Sequence, residues 1–284
     1  MKLSKILAPL LALCLFASTA CASTFIDAHG NEIQLDDSLE AYAAMTLVGA
    51  NDAARQGETN LGDLWTDALR WFAVSGEINA AFDEDDVKAG NDHIAVDADH
   101  VVALWNGGNL RADIAEGTFG AEALAEVLPF PNKVAVVYMS GAQLLEALEA
   151  ASQALPYTAE TADACASLMQ VSGLTYTVDT TKAYDALEAY GDHWFTAGSV
   201  SRVRIDDVNG QPFDAEATYA VVTSNANFNG MDSSYVFKTA AEENELSAVT
   251  VAVVRDVVFR FIAAELNHQV GEAYAAPQGR LTIL

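Results

Sequence analysis

Apolar residues in this chain keep two rhythms, and their alternation limits the fold more than any other feature. From Asn60 to Val74, Leu61, Leu64, Trp65, Ala68, Leu69 and Phe72 stand at i, i+3, i+4, i+7, i+8 and i+11, which predicts an amphipathic helix that Thr59 can cap. Residues 101–105, 134–138 and stretches near 174–179, 201–208 and 218–223 are instead apolar runs of strand length. Ser140 with Gln143 three residues on is a capping-box signature for a helix from 141 to about 154. A brief helix is expected over 121–127 and a long one over roughly 247–266. Helices and strands intermingle without a Pro- or Ser-rich linker or a fixed-period repeat, so one compact α/β domain is expected from about residue 51 to 284. A lead-in over 23–50 precedes it, with a small hairpin over 24–36 about His29-Gly30-Asn31.

Charge excludes whole classes of partner. Forty acidic residues against 14 basic give a net charge of −26, yet 51% of residues are hydrophobic, too many for an acidic disordered chain. Nucleic acid is excluded as a partner, because its binding needs a basic face to displace counterions from phosphates. Anionic membrane surfaces are disfavoured for the same reason. A phosphorylated small molecule is repelled at long range, so a site for one must be a local concentration of Arg, backbone N–H groups or metal.

Residues 1–22 read as a secretory signal: Lys2 and Lys5 form the charged region, residues 6–17 an apolar stretch, and Ala20-Cys21-Ala22 a small-x-small cleavage site. The stretch is too short to span a bilayer, and no other segment reaches ~18 uninterrupted apolar residues. The expectation is therefore a periplasmic or extracellular protein without a transmembrane segment. Ser18-Thr19-Ala20-Cys21 loosely resembles a lipobox, which leaves a lipid anchor at Cys21 as the alternative, weakened by Ser where Leu is usual. Cleavage after Ala22 removes two Lys and no acid, leaving −28, and leaves Cys165 as the one cysteine, so neither a disulfide framework nor a finger-type zinc site is expected. Residues 76–99 read as an acidic loop in which Asp83-Glu84-Asp85-Asp86 lacks the spacing and Gly of a calcium loop and is expected as a solvated turn.

Four segments carry residues suited to ligand chemistry. Arg55 lies just before the N-terminus of the 60–74 helix, where free N–H groups favour an anion; a surface Arg near a capped helix reads the same way. Trp105-Asn106-Gly107-Gly108-Asn109-Leu110-Arg111 ends a strand in two residues without Cβ, which lets a ligand approach the backbone, and Arg111 offers a planar fork for phosphate or carboxylate. Phe130 stands between Pro129 and Pro131, placed either to stack on a base or as a core aromatic. The strand near 218–223 runs into an Asn-rich loop that ends in Gly230-Met231-Asp232, where Asp232 can accept from a hydroxyl.

Taken in this order, the four segments resemble the C-terminal domain of the 5′-nucleotidase family, which includes UDP-sugar hydrolases and 2′,3′-cyclic phosphodiesterases. The resemblance runs from Arg55 to Gln278-Gly279-Arg280-Leu281-Thr282-Ile283 and takes in Gln170-Val171-Ser172-Gly173-Leu174, Ser201-Arg202-Val203 and Asn209-Gly210-Gln211-Pro212-Phe213-Asp214. It implies a layered α/β/β/α single domain of the 5′-nucleotidase C-terminal type. It also implies roles: Arg55 and Arg111 on the charged part of a nucleotide, Asn106 with Gly107 and Gly108 at the nucleoside, Phe130 as one wall of an aromatic clamp on the base, and Asp232 on the ribose. The family's second clamp aromatic follows the position of Asn225, where this chain has Ala226; Phe228 is the substitute offered two residues on, and Met231 stands where the family has Gly.

In the family, hydrolysis is done by a separate metallophosphoesterase domain with two metals. Its Gly-Asp-x-x-Asp, Gly-Asn-His and Gly-His-x-His motifs do not occur here; Asp27-Ala28-His29 mimics only the first, Asp-x-His. The expectation is a nucleotide-recognition domain acting in nucleotide catabolism, with no catalytic or metal-ligating residue of its own and no cofactor. Divalent metals then enter only with a separate metallophosphoesterase subunit as partner. An active nucleotide phosphohydrolase and a protein-binding scaffold derived from one are the alternatives.

Overall fold

The computed structural model describes residues 23–26, 32–35, 40–190 and 194–284. The signal segment and the His29-Gly30-Asn31 turn lie outside the described residues, as does His193. Strands β1 (Ser23–Ile26) and β2 (Glu32–Leu35) pair antiparallel as the expected hairpin. Then follow β3 (Glu40–Ala43), α1 (Asn51–Gln56), α2 (Asn60–Val74), α3 (Glu84–Ala89), β4 (Val101–Asn106), β5 (Gly117–Gly120), α4 (Ala121–Val127), β6 (Lys133–Ser140) and α5 (Gly141–Ala151). Next come β7 (Met169–Ser172), β8 (Leu174–Val178), β9 (Asp185–Tyr190), β10 (Trp194–Ser199), β11 (Val203–Val208) and β12 (Thr218–Ser224). The chain closes with α6 (Asn225–Phe228), α7 (Tyr235–Glu243), β13 (Ala248–Val253), α8 (Val254–Ala264), β14 (Gln269–Val270) and β15 (Leu281–Ile283).

A five-stranded sheet in the order β13-β6-β12-β4-β7 forms the centre, and its apolar strands divide their side chains between two cores. Along β4, Val101, Ala103 and Trp105 face one core while Val102 and Leu104 face the other, as the two-residue period of a strand requires. The first core is closed by the apolar stripe of α2 and by Val254, Val257, Val258, Phe261 and Ile262 of α8. The second is closed by α5, α7 and the three-stranded sheet β11-β8-β15. A strand covered on both faces needs apolar residues throughout, which is why 101–105 and 134–138 lack polar alternation. The result is the layered α/β fold expected.

Local signals set most element ends. The Thr59 hydroxyl accepts from the Gly62 amide at 3.1 Å, and Ser140 with Gln143 makes the reciprocal capping box. Two expectations are corrected. The helix expected over 247–266 begins only at Val254; Val249, Thr250, Val251 and Val253 instead form β13, paired antiparallel with β6 (Ala248 opposite Val136). β-Branched side chains are stiff in a helix and suit the open edge of a sheet. The acidic stretch at 83–86 opens α3, because the Asp83 carboxylate accepts from the amides of Asp85 and Asp86, both at 2.9 Å, and acids in a first turn complement the helix dipole.

The last segment docks on α2 through charge. Arg280 donates to Asp67 Oδ2 at 2.9 Å and to the Val171 carbonyl at 2.8 Å. Fully buried Asp63 accepts from the Gln278 amide at 3.1 Å through Oδ2, while its Oδ1 has no hydrogen-bond partner. Glu58 accepts from the same amide and from that of Leu281. Burial pushes the Asp63 carboxyl up to about 8; Arg280 opposes the shift and Glu58 adds to it. A carboxyl whose folded value lies above its unfolded one holds its proton more tightly when folded, so its contribution to stability falls as pH rises from about 4 to about 8. The unfolding free energy of wild type relative to Asp63→Asn should therefore fall between pH 5 and pH 8.5 in urea titrations, and parallel pH dependences in the two proteins would contradict the assignment.

Candidate functional site

Strands β4 and β12 run parallel, with Ala220 opposite Val101, so Asn106 and Ser224 end them at the same edge of the sheet. In open α/β sheets ligands bind outside the carboxyl ends of the strands. At this edge fully buried Asn106 donates through Nδ2 to Asp232 Oδ2 at 3.0 Å and accepts from Asn109 Nδ2 at 2.9 Å. Asp232 and Ser233 are consecutive non-glycine residues at φ 54° and 63°, a conformation that costs energy and persists only where neighbours hold it. Gln153 donates to the Ser233 hydroxyl, and the Ser224 hydroxyl accepts from the Asn227 amide at 3.1 Å.

Arg111 and Phe130 meet on the same side. Phe130 is 42% exposed, and the Arg111 guanidinium carbon lies 5.6 Å from its ring centre, within range of a cation–π contact. Their loops are tied down: the Arg111 amide donates to the Val127 carbonyl at 2.8 Å, the Val254 amide to that of Asn132 at 2.9 Å, and the Lys133 amide to Asn225 Oδ1 at 2.9 Å. The last bond joins the Phe130 loop to the one that carries Asp232.

The remaining expected residues stand differently. A Cβ on Gly107 would come within 2.0 Å of the Ala54 carbonyl oxygen, and one on Gly108 within 2.4 Å of the Ala166 side chain. The space that the two glycines leave is taken by α1 and the 164–167 turn, so packing within the protein accounts for them. Arg55, 9% exposed, gives Nη1 to the Ala162 carbonyl at 2.8 Å and lies 3.5 Å from Asp163, while its Nε has no partner. Phe228 is half-buried and packs against the second core.

Sequence reading passed over the side chain that joins these parts. Buried Gln170 on β7 donates to the carbonyls of Ala54 at 3.1 Å and Gly57 at 2.9 Å, and its Oε1 accepts from the Thr59 amide at 3.0 Å. One amide group thereby fixes the turn between α1 and α2. The signal was a long polar side chain between the apolar Met169 and Val171 of a short strand. No group of three or more His, Cys, Asp or Glu among the described residues is placed to hold a metal ion. His93 is bonded to Asp92 at 3.0 Å, His100 lies against the Tyr219 ring, and His268 is bonded to the Glu40 carbonyl at 2.9 Å. A cleft of about 530 Å³ lined by His93, Asp97, His100 and Thr218 lies at the opposite end of β4, away from Asn106.

Replacing Gln170 with Leu leaves two carbonyls and an amide unpaired in a buried place, and each such group costs about 1–3 kcal/mol. Gln170→Leu should lose more than about 2 kcal/mol of unfolding free energy, measured by denaturant titration; an unchanged midpoint would show that the bridge is not needed.

This geometry has relatives. The trifunctional nucleotide phosphoesterase protein YfkN of Bacillus subtilis is 26% identical over 229 residues, 79% of this chain but 13% of its own length. The cell wall protein Lmo0130 of Listeria monocytogenes is 32% identical over 198 residues, 67% of this chain and 20% of its own. The crystal structure of a 5′-nucleotidase precursor from Thermus thermophilus superposes with a TM-score of 0.60 at 28% identity, over 86% of this chain and 39% of that one. The chain thus spans well under half the length of each of these proteins. Residues 40–241 match the family described as 5′-nucleotidase, C-terminal domain, and the chain belongs to that family.

Proposed function

We propose that this domain is exported by its 1–22 segment and binds a nucleotide or a related phosphorylated solute at the edge formed by Asn106, Asp232, Arg111 and Phe130. The observation that carries this reading is the pairing of an arginine with an exposed aromatic face, near the hydrogen bond that buried Asn106 gives to the partly exposed Asp232. Arginine supplies a fork for a phosphate, the ring a face for a base, and the carboxylate of Asp232 an acceptor for a ribose hydroxyl. A phosphate draws the guanidinium off the ring, and the base takes its place there. Arg55 steadies the 162–163 turn behind the Gly107-Gly108 segment and adds positive charge at that side.

Hydrolysis in this reading belongs to a metallophosphoesterase unit, which supplies the divalent metals, and the present domain supplies recognition in nucleotide catabolism. No helix among the described residues is long and apolar enough to cross a membrane. The surface charge keeps polyanions away, so the ligand is small and its affinity falls with salt.

Titration calorimetry with nucleoside monophosphates tests the reading. Wild type should bind, and Arg111→Ala should bind at least about tenfold more weakly, the loss expected for one charge-assisted contact. Absence of heat across a panel of nucleotides and phosphorylated sugars, or unaltered affinity in Arg111→Ala, would refute it. Phosphate release from the same nucleotides with Mn²⁺, Zn²⁺ or Co²⁺ should not exceed a metal-only blank; release in proportion to added protein would restore the hydrolase reading.

A further inference from the structure

Beside its buried stripe, α2 carries a second one: Asp67, Trp71 and Val74, at i, i+4 and i+7, line a cleft of about 370 Å³. Phe261 and Glu265 at the end of α8 and Ser172 of β7 form its other walls. The cleft belongs to the start of β4, where Arg70 donates to the Val101 carbonyl, whereas Asn106 ends that strand on the far side of the sheet. Its volume lies in the range of small-ligand pockets.

The chemistry of the walls narrows the ligand. Trp71 is half-buried and held in place: its indole N–H donates to Glu265 Oε1 at 2.7 Å, and its ring packs on Phe261 with centroids 5.7 Å apart. That bond uses the one polar atom of the indole, so what the ring gives the cleft is carbon. Arg70 spends Nε on the Val101 carbonyl at 3.0 Å and Nη2 on that of Ala98 at 3.3 Å, while Nη1 has no hydrogen-bond partner among the described residues and remains to donate. Glu265 likewise keeps Oε2 to accept, and Ser75 adds a hydroxyl. The charges cancel: Arg70 offsets Glu265, and Asp67 is paired with Arg280 at 2.8 Å. Within a protein of net charge −26, a cleft without net positive charge gives an anion no reason to enter, and a cation meets Arg70.

The geometry points to a site for an uncharged sugar ring, with its C–H face on the Trp71 indole and its hydroxyls on Arg70, Glu265 and Ser75. A pyranose divides its surface in this way, since axial C–H groups make an apolar face and hydroxyls radiate from the edge. The site is separate from the Asn106 edge and does not depend on what binds there.

The test follows the indole N–H signals of the whole protein by NMR during titration with methyl β-glucoside, methyl β-galactoside and N-acetylglucosamine, and with glucuronate and choline as charged counterparts. The protein has four tryptophans, and the signal lost in Trp71→Phe identifies Trp71. At least one uncharged sugar should shift that signal saturably, and glucuronate and choline should bind at least about tenfold more weakly. Trp71→Ala should weaken the sugar at least about tenfold, as removal of a central aromatic does. Glu265→Ala should weaken it at least about threefold, the size of one hydrogen bond. Glu265 is exposed, so this variant decides the matter if Trp71→Ala fails to fold, and an unchanged melting temperature separates a lost contact from a lost fold. An unmoved Trp71 signal with every sugar up to about 0.1 M, enough to reveal millimolar binding, overturns the proposal. Glucuronate or choline binding as tightly as the sugars overturns the uncharged class, and undiminished sugar binding in Glu265→Ala overturns the placement.

Discussion

The front of this molecule depends on one buried amide. Gln170 sits on an edge strand of the central sheet and completes two carbonyls and one N–H of the α1–α2 turn, groups that have no regular secondary-structure partner. Its strand neighbours repeat the pattern: the Val171 carbonyl accepts from Arg280, and Ser172 donates to Asp67 at 2.6 Å. Three consecutive residues thereby join the sheet to the turn before α2, to α2 itself and to the C-terminal segment. Position follows from this. α1 rests on Gly107 because Gln170 holds the Ala54 carbonyl there, and that contact fixes where Asn106 presents its amide to Asp232.

The scarcity of cations gains meaning from where the structure uses them. Arg55, Arg70, Arg202 and Arg280 each give guanidinium N–H groups to backbone carbonyls, at Ala162, Val101, Leu155 and Val171 respectively. Arg202 also follows this logic through its amide, which with that of Val203 is held by the buried Glu149 carboxylate. Four arginines therefore brace the fold. Arg111 differs in lying exposed, with its guanidinium over the exposed Phe130 ring.

Much of this was legible in sequence where one physical rule dominated. The stripe of α2, its Thr59 cap and the Ser140–Gln143 box are local, and the structure reproduces them residue for residue. Residues 247–266 resist such reading because a short apolar run fits strand and helix alike, and only pairing with β6 decides between them. The acidic run hid a helix start, since Asp83 as a cap outweighs the repulsion of its neighbours. At the site, the resemblance named Asn106, Asp232, Arg111 and Phe130, but sequence could not show that Ala54 and Ala166 fill the room beside Gly107 and Gly108. Nor could it show that Phe228 turns to the core while Met231 stays out, because burial is a property of the assembled fold.

The most direct measurement of the central claim is a crystal structure of the protein with a bound nucleoside monophosphate. The account predicts the phosphate on the Arg111 guanidinium, displaced from its place over Phe130, with Asp232 on the ribose and the base on the Phe130 ring. A nucleotide bound elsewhere, such as the cleft near His93 and His100, or an Arg111 still over Phe130 with nothing beside Asp232 at saturating ligand, would contradict it.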